Sequence, residues 1–192
     1  MLGRAYSIFD TAIGRCAIAW DDAGIVGVQL PEARELDTRR RLFQLYPEAR
    51  ETQPTPNSEA AIDGIVSLLR GEAADFSEIA LDVRAIPNFD RRVHRVVQGV
   101  QRGETLTYAD VATRLGSPSA LRSVAQVLAR NPFVIIVPCH RVLEAGGYAD
   151  RMSPHAGLIS KRRLLSIEGA VSPSNKTLLD VLLPVAPPRL SS

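Results

Sequence analysis

The hydrophobic pattern of this chain changes period near Pro87, and that switch constrains the fold more than any other feature. Upstream, residues 4–10, 16–21 and 24–30 read as short strands, with Ile13-Gly14-Arg15 and Asp22-Ala23-Gly24 supplying the turns. Residues 32–46 read as a helix stopped before Pro47, and residues 50–57 as a loop of Pro, Thr and Gln. A second helix follows from about Ser58, with Asn57 or Ser58 as N-cap. Its apolar positions Ile62, Ile65, Val66 and Leu69 recur at helical spacing, and Gly71 ends it. Residues 79–83 look like one more strand. This first half is a small α/β unit in which nothing suggests chemistry.

Downstream the chain becomes helical and basic. Residues 90–102 carry Val93, Val96, Val97 and Val100 at the spacing of one helix face, followed by Gly103. Residues 107–116 form a short helix closed by Gly116. Pro118 opens another, with Leu121, Val124, Val127 and Leu128 on one face. Two short helices joined by a Gly-Ser-Pro turn are a helix-turn-helix candidate, although helical hairpins with glycine turns are common. After Asn131-Pro132 the run Phe133-Val134-Ile135-Ile136-Val137 reads as a buried strand ending at Pro138-Cys139-His140-Arg141-Val142. A last helix spans roughly 157–168. The tail beyond Gly169 is rich in Pro and Ser, with one amphipathic patch from Leu178 to Leu183.

The chain has 192 residues, 45% of them apolar, which suffices for one or two small cores. It contains no apolar run of about 18 residues, the length a membrane-spanning helix needs. Its N-terminus lacks a basic region followed by an apolar stretch, so it does not read as a secretory signal, and a cytoplasmic protein is expected. The formal net charge of +2 does not announce a nucleic-acid partner. The distribution says more: Arg91, Arg92, Arg95, Arg102, Arg114, Arg122, Arg130 and Arg141 lie close together in the chain with few acids among them. They form either a phosphate footprint or an ordinary solvated helix surface.

Two cysteines, Cys16 and Cys139, provide neither a disulfide framework nor a CxxC pair, and with three histidines they make a structural zinc site improbable. In a reducing compartment both thiols stay free. Cys16, in the apolar run Cys-Ala-Ile-Ala-Trp, reads as a small buried hydrophobe. Cys139 has His140 beside it, at the end of an apolar run that would mount it rigidly. The thiolate is the nucleophile, so Cys139 needs a base, a positive charge or a helix end nearby. Neighbours on an extended segment point to opposite sides, so a turn or a bridging water would be required to connect the two side chains.

The string Asn131-Pro132, then Ile135-Ile136-Val137-Pro138-Cys139-His140-Arg141-Val142, closely resembles the signature of the O6-alkylguanine-DNA alkyltransferases, also called methylated-DNA–protein-cysteine methyltransferases. The likeness runs from about Phe89 to Gly169. It includes Gly103-Glu104-Thr105-Leu106-Thr107-Tyr108, Leu115-Gly116-Ser117-Pro118, Arg122, Lys161, Leu164-Leu165 and Glu168-Gly169. The resemblance implies an α+β fold with three parts. Residues 1–86 would be a ribonuclease-H-like α/β domain, residues 87–170 a mostly helical DNA-binding and catalytic domain with a helix-turn-helix, and residues 171–192 a tail.

The resemblance also implies a partner and a chemistry: a monomer that binds double-stranded DNA containing O6-alkylguanine through the minor groove, with no cofactor, no metal and no membrane. The lesion lies inside the base stack, so it must be flipped out to be reached. Cys139 would take the alkyl group, activated through a water held by His140, with Glu168 orienting the imidazole. Tyr108 and Lys161 would assist the leaving oxygen. Tyr108 would also turn the 3′ phosphate. Arg122 would fill the place of the flipped base, with Ser123 and Gln126 along the same groove-facing helix. Asn131 would tie the DNA-binding helices to the active-site turn. Pro138, Val142, Met152 and His155 would line the pocket. The thioether product is not cleaved by cellular reductants, so each molecule would act once.

The chain departs from the family pattern in two places. The segment from Gly146 to Gly157 is longer and poorer in glycine than the usual active-site loop, with Asp150, Arg151, Pro154 and His155 in it, and this bears on the alkyl groups it admits. The recognition helix reads Arg122-Ser123-Val124-Ala125-Gln126 where the family tends to Arg-Ala-Val-Gly, and His94 replaces an aromatic residue of the preceding helix. Three other readings compete. The leading alternative is an alkyltransferase-like lesion-binding protein with weak or altered transfer activity: such proteins lack the reactive cysteine that this chain has, but the changed 146–157 loop favours it. A methylation-switched regulator would need a zinc–thiolate module, and a Cys-His hydrolase would not explain Tyr108, Arg122 and Asn131 in register.

Overall fold

The structure, a computed structural model, describes residues 3–145, 156 and 161–170. Its mixed α/β architecture begins with the antiparallel meander β1 (Ala5–Thr11), β2 (Gly14–Asp21) and β3 (Gly24–Gln29). A two-residue strand β4 (Arg50–Glu51), inside the segment expected to be a loop, pairs in parallel with β1 and gives the order β3-β2-β1-β4. Alternation along β2 decides what covers each face. Cys16, Ile18 and Trp20 point into the main core under helix α2 (Pro56–Leu69), whereas Ala17 and Ala19 face helix α1 (Glu35–Leu45). The small residues leave room for Tyr46, whose hydroxyl donates to the Val26 carbonyl at 2.9 Å. Gly27 is required there, because a Cβ would collide with that hydroxyl.

Helix α2 starts earlier than its expected caps. Thr55 is the N-cap, Pro56 occupies the first turn where its missing N–H costs nothing, and Ser58 closes a capping box with Thr55. Asn57 instead exchanges two hydrogen bonds, at 3.0 and 2.8 Å, with the backbone of Ala80. The strand expected over 79–83 reduces to a single bridge between Leu81 and Ile25. Ile25 N–H donates to Ala80 and Asp82 N–H to Ile25. The segment then turns away, because the Asp82 carboxylate accepts the N–H of Arg84.

After Pro87 come α3 (Asn88–Gln98), ended by Gly99 rather than Gly103, then β5 (Leu106–Thr107), α4 (Tyr108–Arg114) and α5 (Leu121–Ala129). Thr107 and Asp110 form a second capping box at the start of α4. A 3-10 turn, Pro118–Ala120, separates α4 from α5. Val93 and Val97, Val111 and Ala112, and Val124, Val127 and Leu128 pack together from the three helices. Leu121 does not join them. It stands at the first position of α5, off the end of the stripe, and is 46% exposed.

The run from Phe133 to Val137 is buried but is not a strand. It folds into a tight turn in which Val137 N–H donates to the Phe133 carbonyl at 2.7 Å and Ile135 takes φ 74°. That backbone costs a β-branched residue roughly 1–2 kcal/mol and persists only where the surroundings over-determine it. The turn is pinned to the sheet by Val28 N–H, which donates to the Pro132 carbonyl at 2.9 Å. A 3-10 turn follows at Cys139–Arg141, then β6 (Val142–Leu143), which pairs in parallel with β5. Helix α6 is described over Lys161–Glu168, and the first residues of the expected helix, 157–160, lie outside the described residues. One continuous core runs from Trp20 and Val28 through Phe133 to Leu164 and Ile167. Among the described residues no helix is long and apolar enough to cross a membrane.

Candidate active site

Cys139 opens the 3-10 turn and is buried, held by its own N–H donating to the Val137 carbonyl at 2.7 Å. Because the segment is a turn rather than a strand, Cys139 and His140 do not alternate across a pleat. Asn131, fully buried, organises the approach. Its Nδ2 donates to the Val137 carbonyl at 2.9 Å, and its Oδ1 accepts the Phe133 N–H at 3.0 Å. The same side chain hydrogen-bonds Cys139. One amide therefore spans both ends of the strained turn and reaches the thiol.

The charged groups assemble around Glu168. His140 Nε2 lies 2.9 Å from Glu168 Oε1, while Arg141 donates from Nη2 to Oε1 at 2.7 Å and from Nε to Oε2 at 3.0 Å. Arg141 Nη1 also donates to the Val100 carbonyl at 2.6 Å. Burial pushes the Glu168 carboxyl up, but hydrogen bonds from His140 and Arg141 outweigh it and hold the group at about 2. Burial pushes the His140 imidazole down, partly opposed by its bond to Glu168 and reinforced by the charges of Arg141 and Lys161. A neutral imidazole beside an ionised carboxylate donates from Nε2. Nδ1 is then a lone pair, and it is buried with no partner among the described residues.

Lys161 is also buried and donates from Nζ to the Tyr108 hydroxyl oxygen and to the Val142 carbonyl, both at 2.7 Å. Its ammonium also lies 5.0 Å from the centroid of the Tyr108 ring. For Cys139, burial raises the thiol pKa, while the Asn131 hydrogen bond and the Lys161 charge pull it back. The arrangement puts a buried thiol in the same turn as an imidazole held by a carboxylate, together with an ammonium that donates to a tyrosine hydroxyl.

The sequence-predicted residues therefore fall into three groups. Tyr108, Asn131, Pro138, Cys139, His140, Val142, Lys161 and Glu168 are buried in the same part of the fold. Arg122, Ser123 and Gln126 lie apart, on the exposed face of α5. Met152 and His155 fall outside the described residues, as does most of the 146–157 loop. The arginine cluster proves smaller as a free basic face than its composition suggests. Arg91 and Arg92 donate to the carbonyls of Ile86 and Leu115, Arg102 to those of Gly71 and Glu168, Arg130 pairs with Asp90, and Arg141 is internal. Among the described residues, Arg95, Arg114 and Arg122 are the exposed members without such a bond. The clamp of Arg141 on Glu168 was missed, because sequence marks Arg141 only as part of the Pro-Cys-His-Arg string.

Fold and site together define a mixed α/β protein with a buried cysteine in a turn whose next residue, His140, is hydrogen-bonded to an arginine-clamped glutamate, and comparison with known proteins supplies the family. The family described as "6-O-methylguanine DNA methyltransferase, DNA binding domain" matches residues 88–170. The methylated-DNA–protein-cysteine methyltransferase of Mycolicibacterium paratuberculosis is 33% identical over 178 residues, 91% of this chain and 98% of that protein. The Mycobacterium tuberculosis protein of the same name is 36% identical over 149 residues, 76% of this chain and 87% of its own. The crystal structure of the M. tuberculosis O6-methylguanine methyltransferase superposes with a TM-score of 0.68 at 27% identity, covering 93% of this chain and 99% of that one. A crystal structure of M. tuberculosis OGT in complex with DNA gives 0.65 at 27% identity, covering 85% and 92%. The chain belongs to the methylated-DNA–protein-cysteine methyltransferase family.

Proposed function

We propose that this protein repairs DNA by moving the alkyl group of O6-alkylguanine onto Cys139, once per molecule, as a methylated-DNA–[protein]-cysteine S-methyltransferase. O4-alkylthymine is a second candidate substrate. The observation that carries the reading is a buried cysteine sharing a 3-10 turn with a histidine whose Nε2 is held by an ionised, arginine-clamped glutamate.

Residues 87–170 form the DNA-binding and catalytic domain, residues 1–86 a ribonuclease-H-like α/β domain, and residues 171–192 a tail. Helices α4 and α5 act as a helix-turn-helix on the minor groove. Arg122 takes the place of the flipped base, and Ser123 and Gln126 lie along the groove; their exposure on one face of α5 supports this. Asn131 links that helix pair to the cysteine turn, and its bonds to Val137, Phe133 and Cys139 fit the role. Pro138 and Val142 border the base pocket. Met152 and His155 would complete it from the loop. We take the acting species to be a monomer. Both thiols are free, which suits a reducing compartment such as the cytoplasm.

The chemistry is an SN2 displacement. The Cys139 proton passes, directly or through a water, to His140 Nδ1, and Glu168 stabilises the imidazolium that results. Sulfur attacks the alkyl carbon, the S–C bond forms and the C–O6 bond breaks. The departing base takes a proton from the Tyr108 hydroxyl, which Lys161 polarises by donating to its oxygen. The imidazolium proton returns to tyrosinate through solvent, leaving neutral guanine and a thioether.

The test is to mix the protein with a duplex containing O6-methylguanine and map its peptides by mass. One methyl per chain on Cys139, with equal loss from DNA, is the expected result. Tight binding without transfer would instead support a lesion-binding protein, and repeated turnover would exclude the single-use mechanism.

A further inference from the structure

Leu121 breaks the rule that its own helix obeys. By spacing it belongs with Val124 and Leu128, yet those two are buried while Leu121 is 46% exposed. It is also one of only three large hydrophobic side chains so exposed among the described residues, and the other two, Leu36 and Phe43, are on α1. Its neighbours in space are set by the backbone. The 3-10 turn Pro118–Ala120 delivers the chain to the first position of α5, so Leu121 and Arg122 project from the same end of the helix. Ser119, Arg122 and Ser123 are exposed around it, so no protein surface among these residues covers the leucine.

We infer that Leu121 is an apolar wedge that enters the minor groove beside Arg122 and packs against the base step next to the flipped nucleotide. The inference rests on the docking of α5 proposed above. A minor groove held open at a flipped base exposes the faces and edges of unstacked bases. Aliphatic side chains that enter such a step recover the lost stacking area, whereas Arg122 supplies charge and hydrogen bonds. The two adjacent residues thus divide the work: Arg122 fills the vacated position, and Leu121 keeps the neighbouring pair from closing over it. A leucine left about half in solvent gains little from this fold, so its place on the helix is explained by what it covers when DNA is bound.

The experiment compares Leu121→Ala, Leu121→Gln, Leu121→Met and Arg122→Ala in the full chain, using duplexes with and without O6-methylguanine. Affinity is followed across a salt series, with single-turnover transfer rates and melting temperatures alongside. Leu121→Ala and Leu121→Gln are expected to weaken lesion-duplex binding about tenfold, the scale of one large aliphatic side chain returned to water. The salt slope should be unchanged, because no phosphate contact is lost, whereas Arg122→Ala should make it shallower. Leu121→Met should restore most of the affinity, and all three leucine variants should melt like the parent because the side chain is outside the core. Parental binding and transfer in Leu121→Ala, with Arg122→Ala impaired, would overturn the wedge and leave the docking of α5 standing. Parental behaviour in both variants would overturn the docking and the wedge with it.

Discussion

Two regions of this molecule bury the same chemistry to opposite ends. On β2, Cys16 is enclosed by core side chains, and burial pushes its thiol up to about 12, with only a weak opposing contact from Thr11. In the turn before β6, Cys139 is equally enclosed, but the Asn131 amide hydrogen-bonds it, the Lys161 charge acts on it, and His140 follows it in the turn. The imidazoles repeat the contrast. His94 on α3 packs edge-on against Phe133 at 5.9 Å, and neither ring nitrogen has a partner among the described residues. Desolvation takes it down to about 4. His140 is just as buried, yet Glu168 fixes its tautomer. Burial alone pushes a titratable group toward its neutral form, whereas burial with an oriented partner also fixes where its proton and lone pair point.

The sharpest break of that comparison is to exchange the thiols. Cys139→Ser should abolish methyl transfer from an O6-methylguanine duplex, while Cys16→Ala should still accept one methyl per chain and lose only roughly 1 kcal/mol of stability. A Cys16→Ala protein with no acceptor capacity would make Cys16, not Cys139, the acceptor.

Removing the orienting carboxylate comes next. Glu168→Gln should slow single-turnover transfer by on the order of 10²–10³, within the range of lost acid–base assistance, and leave Arg141 buried without its counter-charge. The parent also carries a pH signature. Because the folded Glu168 carboxyl is depressed to about 2 from 4.5, its stabilisation is complete above the unfolded value and lost as pH falls from 4.5 toward 2. Melting curves across that window should be flatter for Glu168→Gln than for the parent.

Lys161→Met tests the electrostatic half of the thiol's environment. Its charge lowers the Cys139 pKa, so its loss should move the acid limb of the pH–rate profile to higher pH and slow transfer at neutral pH roughly tenfold. A fall in rate without movement of the limb would assign Lys161 to Tyr108 alone. The smallest effect is expected at His94. Its folded pKa lies below the usual 6.5, so the unfolded chain binds the extra proton and stability declines as pH falls from 6.5 through 4. His94→Phe should remove that part of the acid sensitivity and raise the melting temperature at pH 5 more than at pH 8.

The sequence by itself determined the division into a strand-rich half and a helical half, because hydrophobic period is a local property that survives without neighbours. It also marked the set Tyr108, Asn131, Cys139, His140, Lys161 and Glu168, through a motif whose residues keep a readable order. Tertiary structure alone decided what those residues touch. A five-residue apolar run looks the same whether it becomes a strand or, as in Phe133–Val137, a buried turn with Ile135 at positive φ; burial is written in composition, but backbone direction is not. The cap of α2 moved to Thr55 because Pro56 fits the first turn, and Asn57 was claimed by Ala80, distant in sequence. Arg141 could be read as part of a motif but not as a clamp, because its acid lies on another helix. Leu121 could be read as core by its spacing, and only the end of the facing surface left it in solvent. Periodicity reports which side of an element is apolar; whether another element is there to cover it depends on where the rest of the chain has gone.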